Sequence, residues 1–299
     1  MPHARLPQAV LSALALTLTG LATPFAATAD AEPLFATYDA ESSVTVDSTP
    51  YTQMIRALTA NERGRTLVAY DVAHAQALPF FTEYADYLAA VPVEQLNRDE
   101  QLAYWLNTRN FLLIKAIAEE RRVRGYKKKR GTPSDPGSFW TESRITVAGT
   151  ALSLQDIEQG ILFAGWDAPN IIFGLYQGVR GGPSLPQRPF TGADVHDKLA
   201  DAAARFGADT RNLRVRGDKV RISSYFDWYL PLAYKNDETA LRTHIASLVQ
   251  PKHQDLVRTD AKLDRRNFST EFEQYQARQA SVGSGSSGGG SVSRGGFGS

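Results

Sequence analysis

Glu158, in the run SLQDIEQGIL, has the side chain best suited to general-base work, and Lys115, in FLLIKAIAEERR, is a basic partner of the right type. Together they form the candidate catalytic pair. The alternative for Glu158 is a helix-surface acid or a structural ion pair, which is the preferred reading for an acid whose burial the sequence does not show. Thirteen residues further on, IIFGLYQGVRGGPSLPQRPF (171–190) packs Gly178, Gly181 and Gly182 around Arg180 and then runs through three prolines past Arg188. Glycine-rich backbone can aim several N–H groups at one anion, and an arginine can add a bidentate grip on carboxylate or phosphate. The alternative for Arg180 is a scaffold role, bridging carbonyls or an acid. Asn107 and Asn110 stand one helical turn apart. They read as hydrogen-bonding irregular backbone across the core in preference to contacting a ligand. The candidate ligand-binding set is therefore Arg180, Arg188, Asn107, Asn110, Gly178 and Gly182.

Other chemistries find little support. There is no cysteine, so thiol nucleophiles, disulfides and thiolate metal sites are excluded. Ser184 lacks the flanking glycines of a nucleophile elbow. The glycine spacing fits neither of the common nucleotide-binding loops. Of the histidines, His74 lies three residues after Asp71, but two ligands do not define a metal site, and no metal or cofactor is read.

The elements that must carry these residues are partly visible. A helix is expected over about 98–122, with Leu102, Trp105, Leu106, Leu112, Leu113, Ala116 and Ile117 as its apolar face, acids early and bases late. A second is expected over 153–162, with Ser153 as N-cap and Asp156 in its first turn. A third is expected over 192–207, capped by Thr191 and closed by Gly207. Residues 212–223 alternate as a hairpin around Gly217-Asp218, and 170–176 read as a buried strand. Local helices mixed with a few strands predict an α+β fold: one domain of packed helices with a small antiparallel sheet.

The ends of the chain carry different information. Arg5, the apolar stretch from Ala9 to Ala22 and the Ala27-Thr28-Ala29 site come in the order of an export signal, predicted over 1–29. An N-terminal extension (30–44), the domain (45–280) and a Gly/Ser tail (281–299) follow. The tail holds one charge, Arg294, and one aromatic, Phe297. Its composition predicts an inert, disordered tail, the alternative being a weak surface or polymer contact through Arg294 and Phe297. Losing Arg5 cancels the net charge of +1, which argues against a dedicated nucleic-acid binder. No segment is apolar for long enough to span a bilayer, so the exported protein is expected to be periplasmic or secreted. Arg121, Arg122, Arg124, Lys127, Lys128, Lys129 and Arg130 form a basic run, read either as an anionic-surface contact or as a solvated loop after the helix.

Four stretches in order, AYWLNTRN (103–110), LSLQDIEQGIL (152–162), IIFGLYQGVRGGPSLPQRPF (171–190) and VRISSYFDWY (220–229), resemble the domain of unknown function 547 family. The resemblance covers roughly residues 45–275 and brings no agreed activity with it. It does imply a presumed site of one cysteine and several histidines. Where the resemblance expects histidine, this chain has Lys115, Gln159 and Ile172; where it expects cysteine, the chain has Gly182. Glu158, Trp105, Asn107, Asn110, Gly178, Arg180 and Arg188 are retained. The resemblance thus implies a scaffold stripped of its reactive groups. Three functions follow as expectations. The first is a catalytically degenerate binding or structural module. The second is a non-thiol hydrolase or transferase using Glu158, Lys115 and Arg180. The third is an envelope interaction protein using 121–130 and the tail.

Overall fold

The structure, a computed structural model, describes residues 33–120, 131–132, 135–259, 261–267, 269 and 274. The expected signal at 1–29, the basic run 121–130 and the tail 281–299 lie outside the described residues. What is described falls in one compact unit starting at Glu32.

The long helix forms as the pattern requires, over Arg98–Glu119. Asn97 caps it by accepting from the Glu100 backbone N–H at 2.9 Å, and Asp99 and Glu100 sit in the first turn where the helix dipole favours them. Its surroundings differ from the one-faced helix expected. Every residue from Glu100 to Ile114 is buried. Other elements wrap the helix on all sides, so its polar residues need internal partners. Glu100 accepts from the backbone of Val46 (2.8 Å) and Gly192 (2.7 Å), and Gln101 donates to the carbonyls of Thr37 (2.7 Å) and Val93 (2.9 Å).

Around this axis we number the helices α1 (Thr49–Leu58), α2 (Leu78–Ala89), α3 (the long helix), α4 (Ile171–Gly174), α5 (Val195–Ala208), α6 (Tyr225–Ala233) and α7 (Glu238–Ser247). The strands are β1 (Thr59–Glu62), β2 (Arg65–Val68), β3 (Ser143–Val147), β4 (Thr150–Ser153), β5 (Leu213–Arg216), β6 (Lys219–Ser223) and β7 (Lys262–Arg266). β1–β2 and β3–β4 are antiparallel hairpins. The expected hairpin at 212–223 is β5–β6, turning at Gly217-Asp218, with Leu213 opposite Ile222 and Val215 opposite Val220. Its sheet is mixed, because β7 adds to β6 in parallel. The fold is helix-rich with small sheets, as an α+β reading requires. No helix among the described residues is long and apolar enough to cross a membrane.

Three boundaries are corrected. Residues 170–176 are not a strand. The N–H groups of Ile171, Ile172 and Phe173 bond back to the carbonyls of Ala168, Pro169 and Asn170 at 3.0, 3.4 and 3.0 Å, making the helical turn α4. A short continuous apolar run fits either structure, and among the described residues no strand pairs with it. The third helix starts at Val195, not 192. The Asp194 carboxylate accepts from the Thr191 N–H at 3.0 Å, reversing the expected capping roles, and the helix passes Gly207 to end at Ala208. The second keeps its cap. Ser153 Oγ accepts from the Asp156 N–H at 3.1 Å, and the Asp156 carboxylate accepts from the Ser153 N–H at 2.8 Å. From Asp156 to Leu162, however, the turn widens to π-helix, a form that recurs at functional sites.

Candidate functional site

Polar side chains of α3 hold the glycine- and proline-rich segment in place. Asn107 grips the Phe190 backbone from both sides, donating to its carbonyl at 2.8 Å and accepting from its N–H at 2.9 Å. One turn on, Asn110 donates to the Gly174 carbonyl at 2.8 Å and accepts from the Tyr176 N–H at 3.0 Å. The segment that reads as a strand thus has its backbone paired by a helix's amide side chains.

Between those asparagines stands Arg109, fully buried. Its Nε and Nη2 lie 2.7 and 2.5 Å from Glu158 Oε1, and its Nη1 donates to the Tyr176 carbonyl and to Asn110 Oδ1. The Trp140 ring lies beside it, 5.4 Å from the guanidinium carbon. Burial works against the Arg109 charge; the Glu158 carboxylate outweighs it and holds the pKa above the usual arginine value. The other Glu158 oxygen accepts from the Tyr229 hydroxyl at 3.2 Å, and Tyr229 in turn accepts from Gln177 Nε2 at 2.8 Å. Burial and then the Glu158 charge push the Tyr229 pKa well above 10, so its hydroxyl remains a donor. Glu158, Gln159, Gln177, Tyr229 and Trp140 line a cavity of about 20 Å³, room for a single water.

The π-helical segment brings Glu158 and Gln159 together at this cavity. Lys115 is half-buried and pairs with Glu119, one turn along its own helix, at 2.5 Å; the partner of Glu158 is Arg109. Ile172 is fully buried, with its carbonyl accepting from the Tyr225 hydroxyl at 2.6 Å. Gly178 turns the chain with φ +68°, which favours glycine, while Arg180 and Arg188 are exposed. Gly182 is buried against Gln177: a Cβ there would lie 2.8 Å from Gln177 Cβ and 3.0 Å from its Cγ. The Gln177 side chain fills the space that a side chain at 182 would need.

Residues 93–206 match the family described as Protein of unknown function, DUF547. Over those residues the chain belongs to this family. The match contains α3, the π-helical segment and the whole glycine- and proline-rich segment; the VRISSYFDWY stretch lies beyond it. No curated protein and no solved structure matches the chain. Tyr229 and Gln177 are the groups that periodicity does not reveal. Arg109 had an available signal: a charged residue within the polar run Asn107 to Asn110, it stands at helical spacing from Leu102, Trp105, Leu106, Leu112 and Leu113.

Proposed function

We propose that this protein is an exported, catalytically degenerate DUF547 member that serves as a binding or structural module. One observation carries the reading: Glu158, the acid retained at the presumed site, is closed off by a fully buried arginine beside a cavity with room for one water. A general base needs to reach a substrate proton directly or through one water, and a substrate must fit beside it. The packing of Gly182 on Gln177 supports the same reading, since it leaves no space for a nucleophile at 182. The non-thiol enzyme reading draws on Lys115 and Arg180 as well as Glu158, and these have separate surroundings: an ion pair with Glu119 and an exposed turn. Export rests on the order of charged, apolar and small residues before Asp30.

Restoring a thiol tests the filled site. Gly182→Cys should destabilise the protein by about 2 kcal/mol, because Gln177 Cβ is anchored to the backbone and cannot swing aside. The new thiol should react with a small aromatic disulfide only after denaturation, and the variant should not hydrolyse p-nitrophenyl acetate. A variant as stable as the parent, with a reactive thiol and ester turnover, would overturn the proposal.

A further inference from the structure

The outer side of the same segment faces a different space. A groove of about 750 Å³ lies between the β1–β2 turn, residues 183–190 and α5 with the residues that follow it. It shares no lining residue with the Glu158 cavity. Its volume lies within the range of small-molecule sites.

Six cations line it, Arg63, Arg65, Arg188, Lys198, Arg205 and Arg211, against two acids, Asp201 and Asp209. That is a strong local excess in a chain whose net charge is +1. Three of the cations are engaged in holding the walls. Arg65 donates to the Gly182 carbonyl at 2.9 Å, Lys198 pairs with Asp194 at 2.8 Å, and Arg211 pairs with Asp209 at 2.5 Å. The other three, Arg63, Arg188 and Arg205, are exposed and have no acid partner among the described residues. They come from three separate elements, so no helical or strand periodicity accounts for their meeting.

Two further features distinguish this groove from an ordinary solvated face. Its floor is apolar and rigid: Phe173, Phe190, Phe206 and Leu185 are buried, and the loop above them holds Pro183, Pro186 and Pro189. Arg63 also occupies a costly backbone position. It precedes Gly64 in the two-residue turn between β1 and β2, and both have positive φ, +51° and +77°. Such a turn favours asparagine or glycine at the first position, and a long side chain there costs about 1 kcal/mol. Ala148-Gly149 turns β3 into β4 with the same signs of φ, +45° and +81°; what Arg63 adds is an exposed guanidinium on the lip of the groove.

We infer that the groove binds an anionic ligand of small-molecule size bearing at least two oxyanions, carboxylate or phosphate, held by Arg63, Arg188 and Arg205 over the apolar floor. Planar guanidiniums on three walls suit several oxygens presented in different directions. The site goes beyond the proposal for the Glu158 cavity and stands whether or not that cavity is inert.

Titration calorimetry on the full chain in about 50 mM salt tests it, with tripolyphosphate and trigalacturonate as the two probes. At least one should saturate at micromolar concentration, and a tenfold preference would identify the oxyanion. Arg63→Ala/Arg188→Ala/Arg205→Ala, three exposed changes, should weaken binding at least tenfold with no change in thermal midpoint. The affinity of the parent should fall as salt is raised to about 200 mM. Failure of both probes to saturate below about 1 mM would overturn the inference. So would binding by the triple variant within twofold of the parent, which would place the anion elsewhere, such as 121–130.

Discussion

Arg109→Met should destabilise the protein by about 4 kcal/mol in denaturant unfolding, among the largest effects available from one side chain. The cause is the partner left behind. The Glu158 side chain is only 7 % exposed, and methionine offers it no charge and no donor. The Tyr176 carbonyl and Asn110 Oδ1 lose a donor in the same step. Glu158→Leu should cost a similar amount, because it leaves a guanidinium that is 0 % exposed without a counter-charge. The double variant should cost far less than the sum of the two, since an apolar pair no longer strands either charge. A coupling of at least about 2 kcal/mol in the double-mutant cycle is the expected result. Strict additivity would show that the two residues do not act as a closed unit.

Acid should unfold the protein partly through His244. Its ring, on α7, sits between two neutral partners. Asn170 Oδ1, which can only accept, lies 2.8 Å from Nε2, so Nε2 carries the proton; Nδ1, at 2.7 Å, then accepts from the Tyr234 hydroxyl. Burial lowers the His244 pKa to about 4 from an ordinary 6.5. The folded state therefore resists a proton that the unfolded state takes up. Stability is fully present above pH 6.5 and is lost as pH falls toward 4. Between pH 7.5 and 4.5 this one group should account for about 2.5 kcal/mol. His244→Gln should flatten the pH dependence by that amount in urea unfolding. Equal losses in parent and variant would remove His244 as the cause. The consequence reaches the candidate site, because Asn170 leads directly into α4 and Phe173 packs against the His244 ring at 5.6 Å.

Much of the framework was legible because local rules and the fold agree. The periodicity from Arg98, the Ser153–Asp156 cap and the Gly217-Asp218 turn each state a short-range preference that tertiary structure keeps. What stayed hidden depends on distant partners. Nothing in the 171–176 run distinguishes helix from strand, because the decision rests on Asn110 taking the backbone bonds that a neighbouring strand would supply. Arg109 stands within the apolar stripe of its helix, three residues after Leu106 and three before Leu112, so its burial is legible while its partner, Glu158, is not. The π-helical widening after Asp156 leaves no mark in composition. Glu158, Gln159 and Gly182 could be singled out as positions where chemistry would be expected. That an arginine closes off the first and a glutamine packs over the last became visible only in the structure.

The proposed degenerate function requires Glu158 to be closed in its ion pair with Arg109 and unavailable for chemistry. Carboxyl labelling tests this most directly: the native protein is treated with a water-soluble carbodiimide and glycine ethyl ester, and the modified residues are identified by mass spectrometry. Asp255, whose side chain is 98 % exposed, should label readily, while Glu158 should label only when the protein is unfolded. Labelling of Glu158 in the folded protein at a rate comparable to Asp255 would overturn the proposed function and reopen the site as an accessible acid.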